Sequence, residues 1–300
     1  MQTRSAEGAV PLRLGKKRHA LLDFLVRLFR TKPLGAIGLV LVVLLVLTAV
    51  FADLIAPYGF NESALADRFA PPSSRHWLGA DENGRDVFSR VVYGARISMY
   101  VGLGTVALGM LGAVLIGMLT GYFGGGIDMG IQRVVDAWMS FPGLVIAIVI
   151  MSLLGPGLVN VIVTLSLGQA FTQSRVIRGA TLAVRAEQYV EAARALGAGH
   201  GRILGAHLLP NVMAPIIIVA TNSLSFIILA EAAISFLGFG VPPPQPSWGG
   251  MLSGTARQHM LRAPWMAIWP GVALSMAVFA FSMLGDALRD LLDPRLRGSR

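Results

Sequence analysis

The chain has 300 residues, of which 54% are hydrophobic and only 14% are charged. A soluble globular domain has about 25% charged residues, so this chain has too few for a water-facing surface, which disfavours a soluble enzyme. The same composition excludes a disordered chain, a collagen and a coiled coil. There is no cysteine, so disulfides, thiolate metal sites and thiol nucleophiles are excluded. The formal net charge of +9 is typical either of nucleic-acid binding or of the positive-inside bias of membrane proteins, and we favour the second.

Six apolar segments are candidates for membrane crossing, since a hydrocarbon core of about 30 Å needs roughly 20 residues of helix. They are 34–56, 98–122, 137–154, 158–174, 212–239 and 265–288. The first lacks a good cleavage site, so we interpret it as a retained anchor rather than a signal peptide. This division gives a tail at 1–33, a first span at 34–56, an external segment with an interfacial helix at 57–97, a core of five spans at 98–290 and a tail at 291–300.

The distribution of basic residues tests the orientation of these spans. With both termini in the cytoplasm, 18 of the 25 Lys and Arg residues fall in the expected cytoplasmic segments and 7 in the external ones. The asymmetry follows the positive-inside rule. Five crossings would place the C-terminal arginines outside, so six crossings are favoured.

Glycine marks two features of the predicted bundle. Gly155-Pro156-Gly157 interrupts an apolar stretch that is too long for one span, and it predicts a tight turn between the third and fourth spans. Gly117, Gly121 and Gly125 are spaced by four residues, which allows close helix approach, although this spacing alone is weak evidence in a glycine-rich chain.

A polar segment at 175–209 interrupts the apolar pattern between the fourth and fifth spans. Residues 186–196 are good helix formers, with Val190, Ala193 and Leu196 on neighbouring faces, and Gly197 is placed to end that helix. Pro210 then opens the fifth span. The pattern predicts a short amphipathic helix at the cytoplasmic face, which either lies passively at the interface or is gripped by a soluble partner.

The longer string distinguishes these two alternatives. Glu191-Ala192-Ala193, followed by Gly197 and then by Leu208-Leu209-Pro210, resembles the EAA motif of importer permeases driven by an ATP-binding cassette. The resemblance implies that the helix containing Glu191, Ala192, Ala193 and Arg194 and ending at Gly197 docks into the ATPase, with Leu209 and Pro210 closing the motif. His207 departs from the family pattern, which has an apolar residue there.

A second resemblance is more specific and covers most of the chain after about the first 30 residues. It looks like the C-type permease of dipeptide, oligopeptide and nickel importers. The matching strings are His76-Trp77-Leu78-Gly79-Ala80-Asp81-Glu82-Asn83-Gly84-Arg85-Asp86, Tyr93-Gly94-Ala95-Arg96-Ile97-Ser98, Glu231-Ala232-Ala233-Ile234-Ser235-Phe236-Leu237-Gly238, Pro246-Ser247-Trp248-Gly249-Gly250 and Gly285-Asp286-Ala287-Leu288-Arg289-Asp290.

Two polar features allow more than one interpretation. Val87, Phe88 and Val91 fit one face of an interfacial helix that either helps to seat a substrate-delivering protein or forms a lid at the membrane surface. Glu231 is an acid deep within a predicted span, and such acids are functional candidates by default. It could contact substrate, pair with an arginine of a partner subunit, or lie where the span is tilted or partly external.

Other polar residues give no sign of catalysis or cofactor binding. His200 and His207 lack a third ligand for a metal, so they are interpreted as interfacial polar groups. The chain has neither a Walker A pattern nor a nucleophile elbow. We therefore expect no catalytic residue, cofactor or metal in this chain.

The resemblance implies an all-α, six-span permease of the type I ATP-binding-cassette importer fold, in a bacterial or archaeal plasma membrane. Its expected partners are a homologous second permease, two cytoplasmic ATPases, an external substrate-binding protein and membrane lipid, but no nucleic acid. The expected cargo is a di- or oligopeptide, with nickel chelates or glutathione as alternatives within the family. A self-sufficient secondary transporter or channel is the alternative from another class, but it would need an inverted repeat that is not evident.

Overall fold

The structure, a computed structural model, describes residues 20–292, and within that range it is almost entirely helical. The only β-type pairing described is two isolated bridges, Ser63 with Arg85 and Ala80 with Asp86. The helices are α1 Ala20–Thr31, α2 Pro33–Val50, α3 Ala52–Ile55, α4 Val87–Phe123, α5 Gly125–Met139, α6 Gly143–Leu154, α7 Leu158–Arg185, α8 Gln188–Ala195, α9 His200–Arg202, α10 Leu209–Phe236, α11 Trp248–Leu252, α12 Thr255–Gln258 and α13 Trp265–Leu292. A 3₁₀ turn at Leu65–Asp67 and a π-helical segment at Ile203–Leu208 complete them.

Helix α4 is the longest element, and it contains both the predicted interfacial helix and the second predicted span. It runs without interruption for 37 residues, about 55 Å at 1.5 Å per residue. Asp86 caps its first turn by accepting the backbone N–H of Ser89. The predicted interfacial helix is therefore the N-terminal part of α4. The whole of α4 is longer than a hydrocarbon core of about 30 Å.

Small residues allow α4 to lie against α7 along most of its length. A β-carbon at Gly117 would lie 2.6 Å from the carbonyl oxygen of Ser174, and one at Gly121 would lie 2.8 Å from Cβ of Thr181. Two of the three glycines spaced by four therefore do permit close approach. Gly125 does not belong to this contact, since it begins α5 and has no atom near its β-carbon position.

The third predicted span, 137–154, is not one straight helix. Helices α5 and α6 meet at an angle of 89°, with the break at Ser140, Phe141 and Pro142. Helix α6 has only 12 residues, about 18 Å, and cannot cross a membrane alone. Pro142 interrupts the helix because it lacks an N–H group. The bent pair of α5 and α6, which is either a broken span or a re-entrant loop, replaces the expected straight span.

Helix α7 continues eleven residues past the predicted end of the fourth span. Arg175, predicted to begin the polar loop, is instead helical and pairs with Asp136 of α5. Arg178 forms a two-point ion pair with Asp128 of α5, with N–O distances of 2.7 and 2.5 Å. These arginines interrupt the apolar pattern but not the helix, so the segment between α7 and α10 is shorter than 175–209.

Four helices of the described residues are long and apolar enough to span a membrane, and the bent pair of α5 and α6 adds a fifth if it is one span. They include α2, α4, α13 and a continuous stretch from His200 through α10. Helix α7 is long enough but carries polar side chains such as Gln169 and Gln173 along its length. The all-α, multi-pass architecture is confirmed, whereas six crossings stay a prediction that depends on α7.

Candidate functional site

The site with the strongest sequence signal lies where α7, α8 and α10 meet at one end of the bundle. Helix α8 is anchored by Val190, which is fully buried. It packs in a cluster with Met118 of α4 and with Ile203 and Leu208 of the π-helical segment. One apolar side chain thus fixes an eight-residue helix that lies outside the apolar spans.

Most of the remaining surface of α8 is open to solvent. Glu191, Ala192 and Arg194 are exposed, and Leu196, the residue after the helix, is 89% exposed. Ala193 is half-buried at the edge of this face. An exposed leucine next to a polar rim is a feature of interaction surfaces. The face can make both an apolar contact and an ion pair.

Gly197 ends α8, as the sequence predicts. Its φ is +80°, a conformation that a β-carbon disfavours. The N–H of Gly197 donates to the carbonyl of Arg194 at 2.9 Å, and the N–H of Ala198 donates to that of Ala193 at 3.0 Å. These two bonds form a Schellman motif, which satisfies the last carbonyls of the helix and turns the chain back toward α10.

A contact that the sequence did not predict holds this turn in place. The hydroxyl of Tyr122, in the last turn of α4, lies 2.7 Å from Nδ1 of His200. The guanidinium of Arg194 lies over the Tyr122 ring, 5.2 Å from its centre. The ring of Phe123 lies against His200, 5.5 Å between centres. His200 is therefore part of a junction between α4 and the segment after α8, which we call the Tyr122 junction (Tyr122, Phe123, Arg194 and His200).

The rest of the motif continues into α10. Leu209 is half-buried against the Val190 cluster, and Pro210 is exposed in the first turn of α10. His207, the departure from the family pattern, is half-buried with its ring 6.4 Å from that of Tyr189. The two histidines that we expected to be interfacial polar groups thus both contact aromatic rings beside α8. Within the described residues, no group of three potential ligands could hold a metal ion.

The segment predicted to be external, between the first span and α4, is a folded unit held by buried ion pairs. Asp86 accepts bonds from His76 at 2.9 Å and from the backbone and hydroxyl of Ser89 at 2.7 and 2.8 Å. Asp81 pairs with Arg85 at 2.7 Å and with Arg90 at 3.5 Å. All six of these residues are more than nine-tenths buried. Their charges stabilise the segment and are not available as contacts for a delivering protein.

The first span is tied to α4 by an exposed ion pair. Asp53 of α3 accepts bonds from Arg96 at 2.9 Å and from the hydroxyl of Tyr93 at 2.9 Å. These two bonds hold the C-terminal end of the first span against α4.

Glu231 is fully buried in α10, close to its C-terminal end. One carboxyl oxygen accepts the hydroxyl of Ser235 at 2.7 Å, and the hydroxyl of Ser247 lies near the carboxylate. Trp248 of α11, whose indole donates to the carbonyl of Val91 at 3.0 Å, is packed nearby between α4 and α10. Because Glu231 is enclosed by its own chain, it cannot reach an arginine of a partner subunit in this conformation.

With this geometry in place, comparison with known proteins decides the family. Residues 113–298, which include α8 and the Tyr122 junction, match the family model of binding-protein-dependent transport system inner membrane components. The chain belongs to this family. Residues 23–72 also match the N-terminal transmembrane domain of oligopeptide transport permease C. The chain is thus a multi-pass membrane component of a bacterial transport system, as the two resemblances imply.

Curated relatives of this inner membrane component are similar over nearly their whole length. This chain is 39% identical to the dipeptide transport system permease protein DppC of Alkalihalophilus pseudofirmus, and the match covers 89% of this chain and 88% of that protein. It is 40% identical to the glutathione transport system permease protein GsiD of Pectobacterium atrosepticum, covering 92% and 91%. It is 35% identical to the oligopeptide transport system permease protein OppC of Bacillus subtilis, covering 95% and 93%.

A solved structure shows the same fold. A chain of the MetNI methionine ABC transporter, in an inward-facing conformation, superposes with a TM-score of 0.57 at 19% identity. The match covers 68% of this inner membrane component and 96% of that chain. The type I importer permease fold expected from the sequence is therefore confirmed, with the uncovered third of the chain added to that common core.

Proposed function

We propose that the chain is the permease subunit of an ATP-binding-cassette importer and that it forms half of the translocation pathway for small peptides. A homologous second permease, two cytoplasmic ATPases and an external binding protein complete the transporter. Three relatives named for dipeptide, oligopeptide and glutathione transport support this cargo class. Glutathione is itself a short peptide, so a peptide-like cargo is the chemistry common to all three.

The observation that carries the coupling role is the exposed face of α8 with its fixed geometry. Val190 anchors the helix to the bundle, and Gly197 ends it in a turn tied to α4 through the Tyr122 junction. A force applied to α8 by a partner would reach α4 and α10 through packed side chains, because close-packed interiors transmit displacement. The Glu191 carboxylate on the exposed face would meet a basic group of the ATPase.

In this proposal both termini and α8 lie in the cytoplasm, and the segment containing the buried ion pairs lies outside. The 18-to-7 division of basic residues supports that orientation. ATP hydrolysis takes place on the partner subunits, since the sequence has no phosphate-binding Walker A loop. The chain itself contributes the pathway and the coupling contact.

Reconstitution in liposomes tests this function. The chain is purified with the second permease, ATPases and binding protein encoded beside it, and uptake of a radiolabelled dipeptide is measured with and without ATP. We expect uptake only with ATP and with all partners. Glutathione should compete if it shares the pathway. Uptake driven by an ion gradient with this chain alone would contradict the proposal and favour a secondary transporter.

A further inference from the structure

A cavity of about 420 Å³ lies where the break between α5 and α6 faces α7 and α10. Its walls are mostly apolar and include Trp138, Leu144 and Phe226. Phe226 is 74% exposed in the isolated chain, so one side of the cavity opens outward. Cavities that bind small molecules have volumes of about 300–1,000 Å³ and combine apolar walls with a few polar groups.

Amide side chains supply the polar groups of this cavity. Gln169 of α7 is only 7% exposed, yet neither its amide nitrogen nor its amide oxygen has a hydrogen-bond partner among the described residues. Gln173, one turn further on, reaches the hydroxyl of Ser223 on α10 at 3.4 Å, which is a long bond. Ser223 is more than nine-tenths buried. A buried amide without partners is costly, so each such group in a native structure calls for an explanation.

Gln169 cannot relieve this cost by moving into α4. A β-carbon at Gly109 of α4 would lie only 2.9 Å from Cβ of Gln169, so the base of the side chain is in close contact with α4. Gln169 also lines the cavity, which is the space left for its amide to find a partner.

The broken helix adds backbone donors to the same cavity. Gly143 and Leu144, the first two residues of α6, line it, and Pro142 before them provides no side-chain cap. The first N–H groups of any helix lack intrahelical partners and favour an anionic or carbonyl oxygen. Within a membrane, irregular backbone is tolerated only where protein buries it or where it lines a cavity.

Gln169 is the twelfth residue of α7, about 16 Å from the start of that helix. If α7 is the predicted fourth span and enters a hydrocarbon core of about 30 Å at its first residue, that distance places the cavity near the midplane.

We propose that this cavity binds the backbone of a small peptide during translocation. Gln169 and Gln173 each offer a donor and an acceptor, which match the N–H and C=O groups of a peptide bond whatever its side chains. The uncapped N–H groups of α6 donate to the C-terminal carboxylate, and the apolar walls receive the side chains. The inference rests on the proposed function and assigns the peptide-contacting residues within it.

A lipid chain in the cavity would leave both glutamines unpaired, so the chemistry favours a peptide over lipid. Residues of the second permease are the other possible occupant. Co-purification of the second permease distinguishes a peptide occupant from this one. A glutamine that pairs with the second permease would be needed to hold the complex together.

Photolabelling of the complete transporter tests occupancy directly. A dipeptide containing benzoyl-phenylalanine is imported by the reconstituted complex, the complex is arrested with orthovanadate, and the label is located by mass spectrometry. We expect label on the cavity helices, in 138–147 or 223–234, and its loss with excess unlabelled dipeptide. Label confined to segments outside α5, α6, α7 and α10 would overturn the assignment.

Substitutions test the amides. In Gln169→Leu and Gln173→Leu, we expect the KM for dipeptide uptake to rise about tenfold or more, since tenfold corresponds to about 1.4 kcal/mol. For Gln169→Leu, thermal stability of the complex should be unchanged or higher, because an unpaired buried amide has been replaced by a carbon group of similar size. Ala233→Phe should reduce uptake by filling the cavity, whereas Leu153→Phe on the exposed face of α6 serves as the control.

Three results would contradict the inference. Unchanged KM in both glutamine variants would mean that the amides do not contact cargo. Loss of the second permease on co-purification would assign the glutamines to the subunit contact. A wild-type complex that imports no peptide in the presence of all partners would contradict the proposed function and, with it, the cargo assigned to the cavity.

Discussion

The hydroxyl of Tyr122 lies 2.7 Å from Nδ1 of His200, although 78 residues separate them in the chain. Tyr122 belongs to the last turn of α4, and His200 begins the short helix after α8. The bond links the far end of the longest helix to the turn that positions the exposed face of α8. Displacement of α8 therefore acts on α4 as well as on its chain neighbours α7 and α10.

Tyr122→Phe should loosen this link while preserving the apolar packing. The variant loses one hydrogen bond, about 0.5–1.5 kcal/mol, and keeps the ring beneath Arg194. We expect faster amide hydrogen exchange in 188–200 and less uptake per ATP hydrolysed. Tyr189→Phe, on the half-exposed side of α8, is the matched control. Equal exchange rates in both variants would show that the bond does not hold the turn.

Gly197→Ala should destabilise the end of α8 because of backbone conformation alone. No atom lies near the β-carbon position, but φ is +80°, and a left-handed residue costs about 1–2 kcal/mol. Gly199→Ala is a close control, since Gly199 also has open space but an ordinary φ of −67°. We expect weaker co-purification of the ATPases and lower uptake for Gly197→Ala only. Matching losses in both variants would refute the role of the turn.

Glu191→Lys should weaken the contact with the ATPases. If a basic group of the partner faces this carboxylate, charge reversal costs about 2–5 kcal/mol at a buried interface. Membrane insertion should be normal, because the residue lies outside the apolar spans. The measurement is the amount of ATPase that co-purifies, with Glu62→Lys in the external segment as the charge-matched control. Full recovery of the ATPase with Glu191→Lys would leave α8 as an interfacial helix without a partner.

Asp86→Ala should destabilise the external segment. The substitution removes the N-cap of α4, worth about 0.5–2 kcal/mol, and leaves His76 without its 2.9 Å partner. We expect faster proteolysis within 57–86 and a lower thermal midpoint of the purified complex. Glu82→Ala, which removes only the longer 3.5 Å ion pair with Arg85, should have a smaller effect. A proteolysis pattern like that of the wild type would mean that the buried network is dispensable.

The sequence predicts the local parts of the site well. Val190 and Gly197 are separated by the length of a short helix, and both the helix and its C-terminal turn depend on residues within that stretch. The turn at Gly155-Pro156-Gly157 is predicted for the same reason and does separate α6 from α7. Family resemblance then adds the docking role, which stays a proposal.

Long-range contacts could not be predicted in this way. Nothing near Tyr122 in the sequence indicates that it meets His200, because the contact depends on how α4 packs against the segment after α8. The extent of α7 was underestimated because Arg175 and Arg178 look like loop residues until Asp128 and Asp136 of α5 are placed beside them. The break at Pro142 was missed because the residues immediately on either side, 137–139 and 143–145, are apolar.

In the proposed transporter, the exposed face of α8 lies in the cytoplasm and contacts the ATPases. The wild-type chain has no cysteine, so a single thiol reports on one position only. Ala192→Cys lies on the exposed face of α8, and Ser63→Cys lies in the exposed part of the external segment.

The decisive measurement uses each single-cysteine variant separately in intact cells. Cross-linking of its thiol to the ATPase subunits is measured, together with labelling by a membrane-impermeant maleimide added from outside. We expect Ala192→Cys to cross-link to an ATPase subunit and to remain unlabelled, and Ser63→Cys to be labelled and not to cross-link to the ATPase. Labelling of Ala192→Cys from outside, or cross-linking of Ser63→Cys to the ATPase, would contradict the cytoplasmic position of α8.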